Sequence, residues 1–297
     1  MKIYFDDGSL ISASDLLKAT LRTDLIPVPI SLEFSTQKTE QLENKLKLGS
    51  IIQVGSIKVK LVIIKVIPLE TQTLKEGKPI GGIACVAIPQ GCDALISARN
   101  HAVVLNDTSF NDAMRSCGVK MAMGSDLPLL SFVCLKGTIS TTRFAWYAQQ
   151  EAVVFAYSNH QLSVLKIDQL FKKEVVAYFD ASAVVWVNSE HLRNMGKSSY
   201  VSTDPDGSTV LGHEDTKQDQ AVIQQGGMSQ RQLNNMNKVL LTKGTIIRPL
   251  NDQIYAGDLV EIDHKKYVVL TAAHVFDTGA LGGPSVMASK FWLASLS

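Results

Sequence analysis

The sequence predicts a β-rich α+β protein in which two small β domains, residues 1–75 and 171–297, flank an inserted α/β domain over residues 76–170. Three observations predict it. Long runs of β-branched and apolar residues, VKLVIIKVIP at 59–68 and KKYVVLTAAHV at 265–275, stand toward the two ends. The texture between them, past the pair Gly81-Gly82, switches to alternating helical and strand patterns. Finally, LENKLKLGSII at 42–52 resembles NMNKVLLTKGTII at 235–247: Asn-Lys in a short helix, a glycine stop, then Ser/Thr-Ile-Ile opening a strand. Two copies of one unit around an insertion would produce that pattern.

From the start, KIYFDDGSLI reads as two short strands around an Asp-Gly turn. SASDLLKATLR predicts a brief helix capped by Ser12 or Ser14. Pro27 and Pro29 force DLIPVPISLEFS to be extended. TEQLENKLKLG predicts a short helix with Leu42 and Leu46 on one face and a stop at Gly49. The run after it is apolar on both faces, as a central strand is. Residues 71–82 read as a polar connector.

In the insertion, DTSFNDAMRSCG and STTRFAWYAQQE predict helices, and AVVFAYSNHQLSVLKI a hairpin turning at Ser158-Asn159-His160. EVVAYFD and AVVWVN return to strand. Residues 198–227 are polar with no clear period, the mark of an exposed arm or loop. SQRQLNNMNKVLLTKG predicts a helix capped by Ser229, with Leu233, Met236 and Leu240 inward and Gly244 as its stop.

Hydrophobic residues make up 45% and charged residues 19%, the composition of a packed chain with apolar surface to spare for subunit contacts. Lys+Arg 29 against Asp+Glu 28 leaves a formal charge of +1, without the basic excess of a general nucleic-acid or membrane-surface binder. Lys58 and Lys60 share a strand face as solvated residues. The N-terminus carries no charged-then-apolar leader, and the apolar runs are too short to span a bilayer, so a soluble, cytoplasmically made chain is expected. Cys85, Cys92, Cys117 and Cys134 form no CxxC pair and read as free buried thiols, although Cys85, Cys92, His101 and Cys117 would supply a metal set on paper.

LTAAHVFDTGALGGPS at 270–285 spells the histidine and serine surroundings of a trypsin-like protease. Order and room argue against it: Ser285 follows His274 by eleven residues, and GGPSV lacks the turn that builds an oxyanion hole. A triad would need distant carboxylates such as Asp206 or Asp215. Strand alternation instead puts Tyr267, Val269, Thr271, Ala273 and Val275 on one face and His274 on the other, as a neutral, hydrogen-bonded core side chain. DPDGSTVLGHED places Asp204, Asp206 and Ser208 at calcium-ligand spacing, but Thr209 stands where the loop needs glycine and Asp215 where it needs glutamate. No phosphate loop, HExxH or dinucleotide fingerprint is present. No cofactor and no metal is expected.

Three stretches resemble the central baseplate hub proteins of contractile-tail bacteriophages: residues 27–55, residues 132–171 and residues 256–275. The resemblance implies two tube-type β-barrel domains flanking the inserted α/β domain, and a homotrimer whose two related domains form a pseudo-sixfold ring. It further implies a structural virion protein of the tail baseplate, assembled in the bacterial host cytoplasm. Its partners would be copies of itself, the tail tube protein, the spike protein and other baseplate proteins, with tape measure and DNA only in transit. Ile51, Ile52, Ile63, Ile246, Ile247, Val269, Thr271 and Ala273 are the candidate subunit-interface or tube-domain residues. Two other classes stay open: a hydrolase using His274, and a β-barrel nucleic-acid-binding module.

Overall fold

A computed structural model describes residues 1–296 apart from 57, 76–77, 188–198, 213–221, 225 and 282. The N-terminal unit contains β1 (Ile3–Phe5), β2 (Leu16–Asp24), β3 (Ile30–Gln37), α1 (Glu40–Lys45), β4 (Ile51–Val54), β5 (Val59–Lys75) and β6 (Lys78–Pro89). Alternation builds the strands: Ile30, Leu32, Phe34 and Thr36 of β3 face inward. Thr39 caps α1 by accepting the Leu42 N–H at 3.3 Å, and Leu42 and Leu46 enter the core as expected.

Two expectations fail here. SASDLLKATLR is helical for no more than one turn, where Asp15 and Leu16 N–H donate to the Ser12 carbonyl; from Leu16 it is strand β2. β2 is hydrogen-bonded along both edges, and its alternation buries Leu17, Ala19, Leu21 and Thr23, so sheet pairing overrides local helix propensity. Residues 71–75 and 78–82 are no connector but the arms of the β5–β6 hairpin. The expected division at 75/76 therefore falls between two paired strands, and 78–89 lies in the large sheet.

The insertion runs through β7 (Val103–Ser109), α2 (Phe110–Ser116), β8 (Pro128–Cys134), α3 (Ser140–Glu151), β9 (Val153–Ser158), β10 (Gln161–Lys166) and α4 (Ile167–Leu170). Its core is aromatic: Phe132 stacks on Phe144 at 4.6 Å, and Phe155 meets Phe144 edge-on at 6.1 Å. Asn159 and His160, with φ 50° and 60°, turn the β9–β10 hairpin where expected.

The C-terminal unit comprises β11 (Val175–Phe179), β12 (Val184–Trp186), β13 (Ser199–Thr203), β14 (Thr209–Leu211), β15 (Val222–Gln224), α5 (Gln230–Met236), β16 (Leu240–Pro249), β17 (Leu259–Ile262), β18 (Lys265–Asp277) and β19 (Val286–Leu296). The stretch expected as a patternless arm holds a three-stranded sheet, β14-β13-β15. α5 closes over it, burying Met228, Leu233 and Met236 against Tyr200 and Val210. Helix α5 ends at Met236, not Gly244; Leu240 and Gly244 belong to β16, because that segment pairs with β19 throughout. A bulge between Val269 and Thr271 also breaks the expected alternation of β18, so Val269 and Ala272 share one core.

Strand order shows a duplication. The large sheet runs β1-β4-β5-β6-β3-β2, and the C-terminal strands repeat it as β11-β17-β18-β19-β16-β12. The repeat extends to register. Val62 pairs with Ile51 as Val268 pairs with Leu259, and the bulge between Ile63 and Lys65 recurs between Val269 and Thr271. One difference is that β11 joins β17 parallel, whereas β1 joins β4 antiparallel. The residues that suggested the duplication are not its equivalents, since Ile51-Ile52 lie in β4, whose counterpart is β17, while Ile246-Ile247 lie in β16, whose counterpart is β3. The two copies join edge to edge through antiparallel pairing of β2 with β18.

Candidate functional site

His274 is fully buried toward the end of β18, among Tyr255 and Phe291, whose ring centroids lie 6.4 and 6.1 Å away. Its Nε2 lies 3.1 Å from the Ile254 carbonyl, which can only accept, so Nε2 carries the proton. Nδ1 then accepts from the Ser289 hydroxyl at 2.8 Å. Burial pushes its pKa down, keeping the ring neutral. Ser289 is equally buried and also accepts the Asn251 N–H at 2.8 Å. A serine within reach of a histidine is thus present, but it is sealed from any substrate, and both side chains tie the loop at 251–254 onto the sheet. Ser285, the serine of the protease-like motif, is exposed and donates to the Asp277 carbonyl at 3.1 Å.

The other motif residues are accounted for locally. All four cysteines are buried and free, with the thiols of Cys85 and Cys92 pushed up to about 12 by burial. His101 is exposed beside Arg99, with 3.1 Å between His101 Nε2 and the guanidinium. Asp206 accepts the Ser208 N–H at 2.9 Å in the β13–β14 turn, and Asp215 lies outside the described residues. Among the described residues no group of His, Cys, Asp and Glu could hold a metal, and no helix is long and apolar enough to cross a membrane.

What the structure assembles instead is a set of joints. At the β2–β18 joint, Thr271 Oγ1 donates to Asp24 at 2.6 Å, Ala256 N–H donates to Thr23 Oγ1 at 2.9 Å, and Lys18 pairs with Asp277 at 3.2 Å. Thr271 and Ala273 therefore face strand β2 of the same chain, opposite Asp24 and Arg22. Ile52, Ile63, Ile246 and Val269 fill the two units' own cores; Ile51 is half-buried and lines a cleft, and Ile247 is 61% exposed. The insertion is fastened to the C-terminal unit where Arg231 of α5 forks onto the Glu151 carboxylate of α3 and Asn235 donates to the Gln150 carbonyl at 3.0 Å. Lys173 donates to the Gly257 carbonyl at 2.9 Å; burial lowers its pKa and raises that of Asp258.

Sequence reasoning missed two surfaces. A cleft of about 800 Å³ between the N-terminal sheet and the insertion is lined by Lys58, Lys60, Lys120 and His160, with Asp93 as a carboxylate on its wall. The joint partners Asp24 and Thr23 lie far from Thr271 and Ala256 in sequence, so no local pattern marks them.

Among solved structures, the crystal structure of the tail protein from Neisseria meningitidis MC58 matches 99% of this chain and 95% of its own at a TM-score of 0.67 and 9% identity. The chain has the fold of that tail protein. The same tail-protein architecture spans 99% of this chain and 98% of the 43 kDa tail protein of prophage MuSo2 from Shewanella oneidensis, at a TM-score of 0.66 and 9% identity. It also spans 100% of this chain and 77% of the E. coli c3393 protein, at 0.58 and 7% identity. That protein is described as a component of the type VI secretion system with structural similarity to the T4 bacteriophage tail proteins gp27 and gp5. No family model and no curated protein matches the sequence.

Proposed function

We propose that the chain is a baseplate hub: a structural, non-enzymatic tail component that joins a sixfold tail tube to a threefold spike. In this reading three copies form the ring, and tape measure and DNA pass through its centre. Its partners are the tube protein, the spike protein and other baseplate proteins, and its place is the virion tail. The working units are then 1–89, 90–170 and 171–297, with the two outer ones building the ring. The observation that carries the reading is the repeated strand order, β1-β4-β5-β6-β3-β2 and β11-β17-β18-β19-β16-β12, joined edge to edge. One chain with two like units is the economical way to match a threefold to a sixfold partner. The tail-protein fold along the whole chain supports it.

Negative-stain electron microscopy of the concentrated protein, with sedimentation alongside, tests this. Expected are threefold particles with a central opening. Compact twofold dimers, or a monomer at every concentration reached, would overturn it.

A further inference from the structure

Within the chain, β18 has two partners along one edge. β17 pairs with Lys265–Val268, the bulge follows, and β2 takes over from Thr271 to Asp277. β5 is the counterpart of β18 in the N-terminal unit. β4 pairs with Val59–Val62 and the bulge follows at the same place, yet from Lys65 onward that edge has no partner among the described residues. β12 is the counterpart of β2. Val184, Val185 and Trp186 stand opposite Ile246, Thr245 and Gly244, as Ala19, Thr20 and Leu21 stand opposite Phe34, Glu33 and Leu32. β12 ends the sheet, so its outer edge is also open among the described residues.

Each copy thus carries one half of the joint that the chain closes once internally. We propose that β12 pairs antiparallel with the outer edge of β5 in a second copy of this chain. The register is that of the β2–β18 joint. There Thr20 faces Val275, Leu21 faces His274 and Arg22 faces Ala273. Carried over, Val185 faces Leu69, Trp186 faces Pro68 and Val187 faces Ile67 of the next copy.

The surfaces fit that occupant. Val185, Trp186 and Val187 are 72%, 41% and 44% exposed, and Ile67 is 39% exposed, whereas Leu21, at the position equivalent to Trp186, is only 1% exposed, in the N-terminal core. Apolar open edges of this kind are covered in native assemblies; Pro68 brings no N–H to a strand so covered, at the cost of one ladder bond. Because the two halves of the contact lie on different units, copies add head to tail, and such a contact must close into a ring or run on as a filament. The inference rests on the hub reading for the number of copies, three; the register rests on the internal joint alone.

Cysteine pairing in the full chain tests it, since the four native cysteines are buried. Thr20→Cys with Val275→Cys is the internal control and closes within one chain on oxidation. Leu69→Cys with Val185→Cys should give covalent dimers and trimers on a non-reducing gel, and nothing larger. Ile67→Cys with Val187→Cys, one step along the same register, should do the same, while the off-register Leu69→Cys with Val187→Cys should stay reduced. If the control oxidises and the protein sediments as a trimer, yet neither in-register pair cross-links, the inference is overturned and the hub reading stands. A protein that is only ever monomeric overturns both.

Discussion

Replacing His274 with alanine separates the buried polar anchor from a catalytic base. The imidazole is fully buried and bonded to the Ser289 hydroxyl at 2.8 Å and the Ile254 carbonyl at 3.1 Å. The variant loses two hydrogen bonds, worth about 1 kcal/mol each net, and strands the Ile254 carbonyl at a further cost of about 1–3 kcal/mol. It also leaves a ring-sized void between Tyr255 and Phe291. The polar terms sum to about 3–5 kcal/mol of stability before the void is counted. At about 2–4 °C per kcal/mol for a chain approaching this size, the melting temperature should fall by roughly 6–20 °C. Differential scanning calorimetry at pH 8 reads this directly, with Ser285→Ala, an exposed site, expected to stay within about 0.5 kcal/mol of the parent. A melting temperature of His274→Ala within a degree of the parent would refute the anchor. So would peptidase or esterase activity in the parent that disappears in the variant.

Acid should act through the same residue. The unfolded chain protonates His274 near its ordinary value of 6.5, while burial holds the folded ring neutral at that pH. The unfolded state therefore binds more protons. Stability should fall as pH drops below about 6.5, by up to about 1.4 kcal/mol per unit, until the native ring protonates. Melting curves from pH 8 to 5 should show this fall in the parent and less of it in His274→Ala. Gly244→Ala should loosen the β12 edge, because an added Cβ would lie 2.6 Å from Val184 Cγ1 and 3.0 Å from the Val185 carbonyl. A loss of about 1–3 kcal/mol and a changed Trp186 emission, from its contact with Tyr267 at 5.7 Å, are the expected readouts. Thiol titration should find almost no reactive cysteine in the native protein at pH 8 and four after denaturation; rapid native labelling of Cys85 or Cys92 would contradict their burial.

Much of this molecule is legible along the chain because local chemistry sets it. Thr39 and Ser229 cap the helices that begin beside them, the Asn159-His160 pair turns its hairpin, and β-branched runs become β5 and β18. His274 reads correctly as a bonded core residue because alternation places it on a buried face, though only the fold supplies Ser289 and Ile254. Where the reading failed, a distant partner had decided. Residues 16–24 carry helix-compatible residues but are gripped on both edges by β3 and β18, and the latter lies some 250 positions away.

The duplication divides the same way. Its signal in the sequence, GSII against GTII, pointed to two copies through residues that do not correspond, because a helix, a glycine and a strand in series recur without common topology. What corresponds is strand order and the position of one bulge, features held by hydrogen-bond registers between segments far apart in the chain. The sequence by itself determined that this is a β-rich chain with its long β-branched strands toward the two ends and mixed helix and strand between them. Only the tertiary structure decided which strands are equivalent, where one copy meets the other, and which edges are left open. Backbone pairing carries no side-chain code, so the register of a joint is written in geometry rather than in residue type.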